Sequence, residues 1–248
     1  MRIILIGQAP FGARVVETLL EGGDDIVAVY TSPIAERALP LKEICRKNSI
    51  PLLQPERMRD PGVYDGFREF NADLGVMAFV TDIVPIEIIR CPELGAIQYH
   101  PSLLPRHRGA SSMNWAIIQG ETRTGLTIFW PDQGIDTGPI LLQKEVEISP
   151  DDTLGSLYFN KLFPLGIEAL IEAVKLVKEG RAPCIIQDDS LATYEPLCEE
   201  EHASIDWHRP MDEVYNLIRG TNPQPGATTF WNDVKLKIYD SEKSDLDI

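Results

Sequence analysis

A chain of 248 residues with 44% hydrophobic and 25% charged side chains is long enough for one sizeable α/β domain and a small appendage, and has the composition of an ordinary soluble fold. Its 38 acidic against 23 basic side chains give a net charge of −15, which repels phosphate backbones at long range and argues against a nucleic-acid substrate. No stretch approaches a membrane span, the N-terminus lacks the basic flank and cleavage site of a secretory signal, and Cys45, Cys91, Cys184 and Cys198 form no C-x-x-C pair for zinc or redox chemistry; the expected location is the cytoplasm.

In chain order, the compact apolar run Arg2–Ile6 predicts a first strand. A helix follows, with Val15, Val16, Leu19 and Leu20 on one face. The turn between them, GQAPFG at Gly7–Gly12, fits neither G-x-G-x-x-G nor the P-loop pattern and is read as a tight strand-to-helix turn. Ile26–Tyr30 is the next strand, and a polar helix is expected over Leu41–Lys47. Ala72–Val80 and Gly95–Tyr99 are further buried strands. This alternation implies a Rossmann-like, mostly parallel sheet with helices on both faces. Ligands of such sheets bind beyond the carboxyl ends of the strands.

Thr124–Trp130 and Ile140–Ile148 predict two more strands, joined by the turn-rich PDQGIDTG. Asp151, Asp152 and Thr153 start an amphipathic helical pattern that runs to Val177, with Pro164 as a kink or break and Gly180 as its end. Residues 1–180 are therefore expected to form the main domain and 181–202, with few periodic apolar residues, a linker. Residues 203–248 hold a short helix, Met211–Arg219, and an alternating strand, Val234–Tyr239.

Two segments carry chemistry. HPSLLPRHRG, His100–Gly109, directly follows a strand and holds two of the chain's 4 histidines. His100 thus sits at a strand's carboxyl end. DQGIDTG, Asp132–Gly138, supplies two aspartates in a tight turn between strands, a pattern that turn chemistry alone also explains.

Together these segments resemble the signature of the folate-dependent formyltransferase family. That family includes methionyl-tRNA formyltransferase, glycinamide ribonucleotide transformylase, sugar N-formyltransferases and the hydrolase domain of 10-formyltetrahydrofolate dehydrogenase. The likeness runs over roughly residues 1–240 and is most specific from Gly95 to Tyr158. YHPSLLPRHRGAS, IFW and LFPLGIEAL are most similar to the dehydrogenase's hydrolase domain. IDWHRP and YNLIRGTNPQPGA resemble the junction into an OB-like β subdomain, expected here to be incomplete or reduced.

The resemblance implies a formyltransferase fold and 10-formyl-tetrahydrofolate as formyl donor, with no metal. It implies His100 as oxyanion donor and acid–base group, oriented by Asp136. Gln98 stands where the family usually has asparagine and would assist at the formyl oxygen. The pterin is expected between two loops, Phe79, Val80, Thr81, Asp82 and Ile83 on one side, Pro131, Asp132, Gln133, Gly134, Ile135 and Asp136 on the other. The formyl acceptor is water or a small-molecule amine. Initiator tRNA stays open but is opposed by the charge, and an amino sugar is a further alternative. A folate-binding protein without catalysis, hinted at by Gln98, is opposed by the presence of both His100 and Asp136. Fusion to, or association with, further domains is compatible with the resemblance, and no membrane partner is expected.

Overall fold

The computed structural model describes residues 1–244. In chain order it holds β1 (Arg2–Gly7), α1 (Ala9–Glu21), β2 (Asp25–Tyr30), α2 (Ala35–Asn48), β3 (Leu52–Leu53), α3 (Val63–Glu69), β4 (Leu74–Ala78), α4 (Ile86–Ile89) and β5 (Ala96–His100). Then come β6 (Arg108–Gly109), α5 (Ser112–Ile118), β7 (Arg123–Phe129), β8 (Ile140–Glu147), α6 (Leu154–Ser156), a π-helical turn over Leu157–Leu162, and α7 (Phe163–Lys178). The chain continues with β9 (Tyr194–Glu195), α8 (Met211–Gly220), β10 (Ala227–Trp231) and β11 (Val234–Ile238). It divides into two units, one of Met1–His100, Thr127–Gln143 and Gly166–Gln187, the other of Pro101–Leu126, Lys144–Leu165 and the residues from Asp188 on.

The first unit is organised by a seven-stranded sheet of order β3-β2-β1-β4-β5-β7-β8. β1 pairs in parallel with β2 and β4, and β4 in parallel with β5; β7 runs antiparallel to β5. Ile3, Ile4 and Leu5 are fully buried, so both faces of β1 are covered and its apolar run is continuous rather than alternating. One face packs Ile4, Ile6, Ala28, Met77, Ile88 and their neighbours into a core. Strand order reverses at β1, with β2 on one side and β4 on the other, which opens a crevice at the carboxyl ends.

The second unit is built around short helices and two small sheets, β10-β11 and β6-β9. α5 and α8 approach closely: a Cβ on Gly220 would lie 2.7 Å from the Ile118 side chain. The Asn114 amide donates to the Gly220 and Gln224 carbonyls and ties the pair together. Ile205, Ile218 and Ala227 form a small core with Val214, Leu217 and Ile238.

Some elements differ from expectation for physical reasons. α2 begins at Ala35, not Leu41, because Pro40 costs the helix one hydrogen bond without ending it. Pro164 does not break the chain's longest helical run. It is the second residue of α7, directly after the π-helical turn, and helical backbone continues from Leu154 to Lys178. α3, α4 and α5, at 7, 4 and 7 residues, are too short to show helical periodicity. Among the described residues, no helix is long and apolar enough to cross a membrane.

Candidate active site

β5 carries two of the predicted side chains. Gln98 and His100 are two residues apart and so share a face of the sheet. Gln98 lies between Met77 of β4 and Phe129 of β7, and His100 is opposite Thr127. His100 is the last residue of the strand and only 5% exposed.

The loop between β7 and β8 supplies the carboxylate. Asp132 Oδ1 accepts hydrogen bonds from the Gly134 N–H at 3.0 Å and the Thr137 hydroxyl at 2.6 Å, folding the loop back on itself. The glycines of DQGIDTG are there for close approach. A Cβ at Gly134 would lie 2.0 Å from Thr137 Oγ1, and one at Gly138 1.8 Å from the Trp130 carbonyl oxygen. Asp136 adopts a φ of 54°, in the left-handed region that aspartate tolerates better than most residues. In that conformation its Oδ2 lies 3.5 Å from His100 Nδ1, with both side chains buried.

Sequence reading missed a third contributor. Segment Pro183–Gln187 runs along this loop: Ile185 bridges to Ile140, and the Trp130 indole donates to the Pro183 carbonyl at 2.9 Å. The buried Gln187 amide then donates to the carbonyls of Asp136, at 2.8 Å, and Gly138, at 2.7 Å. Gln187 lies in a stretch without periodicity and 51 residues from Asp136, so no local signal marks it.

The other predicted loop begins at Phe79, whose φ is 62°. Its ring packs near Phe11 at 6.3 Å, and Phe11 in turn stacks on Tyr99 at 4.6 Å. Gln8 donates to Thr81 Oγ1 at 3.1 Å, and the Asp82 carboxylate accepts from the Met58 and Ile83 N–H groups, each at 2.8 Å. Asp82 and Asp132 thus use their carboxylates to shape their own loops. Ile83 and Ile135 expose their side chains, at 71% and 61%.

Phe79–Asp82 forms one wall of an open cleft, whose other walls are Ile6–Gln8, Tyr30–Pro33 and the Pro55–Met58 stretch. The cleft occupies the crevice at the β1 carboxyl end. His100, Asp136 and the 131–135 loop are not among its lining residues. Among the described residues, no three His, Cys, Asp or Glu side chains are grouped to hold a metal ion.

The second histidine of HPSLLPRHRG has different surroundings. In the second unit, His107 Nε2 lies 3.2 Å from Glu121 and Nδ1 3.1 Å from Glu195. Burial pulls its pKa down, but the two carboxylates outweigh burial and hold the imidazole above its ordinary value. Burial likewise pushes Glu121 up, while His107 and Arg106 prevail and hold it below the usual carboxylate range. Arg108, also buried, donates to Asp189 at 2.7 Å and to the Tyr194 hydroxyl at 2.8 Å. His107 and Arg108 together staple their loop to residues 189–195.

With this geometry in hand, comparison with known proteins is informative. Residues 1–174 match the family described as Formyl transferase, and residues 198–247 match Formyl transferase, C-terminal domain. The chain is 42% identical to cytosolic 10-formyltetrahydrofolate dehydrogenase of Xenopus laevis over 97% of its own length, but spans only 27% of that protein. It is 40% identical to methionyl-tRNA formyltransferase of Syntrophus aciditrophicus, covering 96% of this chain and 78% of that one. In fold it matches a 4-N formyltransferase from Francisella tularensis with a TM-score of 0.81 at 18% identity, over 98% of both chains.

Proposed function

Because this chain belongs to the formyl transferase family, we propose that it releases the formyl group of 10-formyl-tetrahydrofolate to water, using His100 and Asp136 as its central pair. The observation that carries this reading is the buried His100–Asp136 contact at the carboxyl end of β5. Similarity to the dehydrogenases over 97% of this chain supports water as acceptor.

Chemically, water attacks the formyl carbon, negative charge builds on the formyl oxygen, and the C–N bond then breaks to give formate and tetrahydrofolate. With His100 Nδ1 turned to Asp136, Nε2 is the ring atom we assign to the formyl oxygen, where it donates a hydrogen bond as charge develops. Asp136 fixes the orientation of the imidazole. The proton lost by water moves through this pair to the departing folate nitrogen. Gln98, on the same face as His100, offers a second amide donor to the same oxygen. Low exposure around the pair strengthens each of these interactions. Backbone groups of the 79–83 and 131–136 loops are assigned to the pterin. Two aspartates there already serve the loops themselves, which leaves main-chain atoms for recognition.

A second reading is transfer to methionyl-tRNA, favoured by the 40% identity to a methionyl-tRNA formyltransferase over 78% of its length. The net charge of −15 speaks against it. An assay of formyl release from 10-formyl-tetrahydrofolate, alone and with charged initiator tRNA or an amino sugar, separates these acceptors. Turnover without an added acceptor supports water. Turnover at an enzyme-like rate only with tRNA or the amino sugar replaces it.

A further inference from the structure

We infer that Gln187 is a positioning residue for Asp136, acting through the backbone of the 131–139 loop; the inference rests on the His100–Asp136 reading above. The Gln187 side-chain amide donates to the carbonyl of the carboxylate-bearing residue itself, Asp136 O at 2.8 Å, and to Gly138 O at 2.7 Å two residues on. Two bonds from one NH2 group fix the peptide plane that follows Asp136 and the one that follows Gly138.

Such fixing matters because of the backbone Asp136 must hold. Its φ of 54° is a conformation that a residue with a Cβ keeps only when its surroundings over-determine it. The contact it sustains, 3.5 Å from Asp136 Oδ2 to His100 Nδ1, has little slack. A loop relaxing toward ordinary dihedrals would swing Oδ2 away from the imidazole.

Gln187 is not needed to anchor its own segment. The Ile140–Ile185 bridge and the bond from Trp130 to the Pro183 carbonyl hold residues 183–185 before the chain reaches it. Only a side chain of this length carrying two N–H donors reaches both carbonyls. Methionine keeps the length with no donor. A carboxylate presents repelling oxygens when ionised, but donates one hydrogen bond when protonated.

The test compares Gln187→Met, Gln187→Glu, Asp136→Asn and the double variant Gln187→Met/Asp136→Asn with the unaltered chain, reading kcat, KM and pH profile for formyl release. Gln187→Met is expected to lower kcat about 10- to 100-fold, the scale of a small misplacement of a reacting group, with KM for the formyl-folate changed less than about threefold. In the Asp136→Asn background the same change should cost nothing further, because there is no carboxylate left to place. Gln187→Glu should be as impaired as Gln187→Met at alkaline pH and recover relative to the unaltered chain as pH falls, a recovery the methionine variant cannot show. That recovery also carries the test if Gln187→Met fails to fold. Normal kcat in folded Gln187→Met, a loss that multiplies with Asp136→Asn, or a glutamate variant with no pH-dependent recovery each overturns the inference. If Asp136→Asn itself turns over normally, the reading of the pair has failed instead.

Discussion

Two histidines of one ten-residue motif, HPSLLPRHRG, face carboxylates under different constraints. His100, in the first unit, meets Asp136 at 3.5 Å, longer than a charge-assisted hydrogen bond. His107, in the second, is held at 3.1 and 3.2 Å between Glu195 and Glu121. An imidazole clasped between carboxylates on both nitrogens is held in place and joins segments. In the proposed function, the one oriented by Asp136 at the end of a strand works on the substrate instead. Seven positions apart in the chain, the same residue type serves as a brace in one place and is proposed as a catalyst in the other, according to what the fold brings to its ring.

The sharpest way to break this contrast is to remove each histidine and ask what is lost. His100→Ala should leave the protein folded and lower turnover about 100- to 10,000-fold, the combined scale of a lost oxyanion donor and a lost acid–base group. Near-normal turnover by a folded variant would end its assignment as the catalytic member. His107→Ala should do the reverse. It leaves two half-buried glutamates without the imidazole, Glu121 with Arg106 alone, at a cost of roughly 1–3 kcal/mol in unfolding free energy. Turnover per folded molecule should change far less than in His100→Ala. Denaturant unfolding together with active-site titration separates the two losses, and an unshifted unfolding midpoint would show that the brace is dispensable.

A smaller effect should appear in the pH dependence of stability. His107 binds its proton more tightly folded than unfolded, so its contribution is fully present below the unfolded value of about 6.5 and fades as pH rises through the raised one. Glu121 has the opposite sign: its contribution is present above about 4.3 and is lost as pH falls through the lowered value. The brace is therefore strongest between roughly pH 4.3 and 6.5. Unfolding midpoints taken at pH 6 and pH 9 should show a decline that His107→Gln flattens; parallel declines would count against the brace.

The smallest expected change is at Gln98. Gln98→Asn shortens the amide by one methylene on the face it shares with His100, and turnover should stay within about tenfold of the unaltered chain, with no loss of stability. A much slower but folded variant would mean that the longer amide is matched to this site.

Much of this contrast was legible in the residues, and the remainder was not for identifiable reasons. The strands at Arg2, Ile26, Leu74 and Ala96 announce themselves because a sheet covered on both faces needs uninterrupted apolar runs. β3, β6 and β9 are only two residues each and carry no pattern at all. HPSLLPRHRG and DQGIDTG point to His100 and Asp136, and the structure brings these two together. Nothing in the motif distinguishes His107 from His100, because its partners Glu121 and Glu195 come from distant positions in the chain. Gln187 was hidden for the same reason: its value lies in two carbonyls it touches, and carbonyls leave no trace in a sequence.

The indole of Trp130 has a consequence for observing the site in solution. It sits partly buried at the foot of the Asp136 loop, its N–H held by the Pro183 carbonyl. Trp207 and Trp231 are 60% and 70% exposed, so soluble quenchers reach them readily. Under iodide or acrylamide their emission fades first, leaving a signal enriched in Trp130 and the similarly half-buried Trp115. With Trp115 replaced by phenylalanine, what survives is an optical gauge of the clamp: light from one ring that brightens, dims or changes colour as the Asp136 loop tightens or lets go.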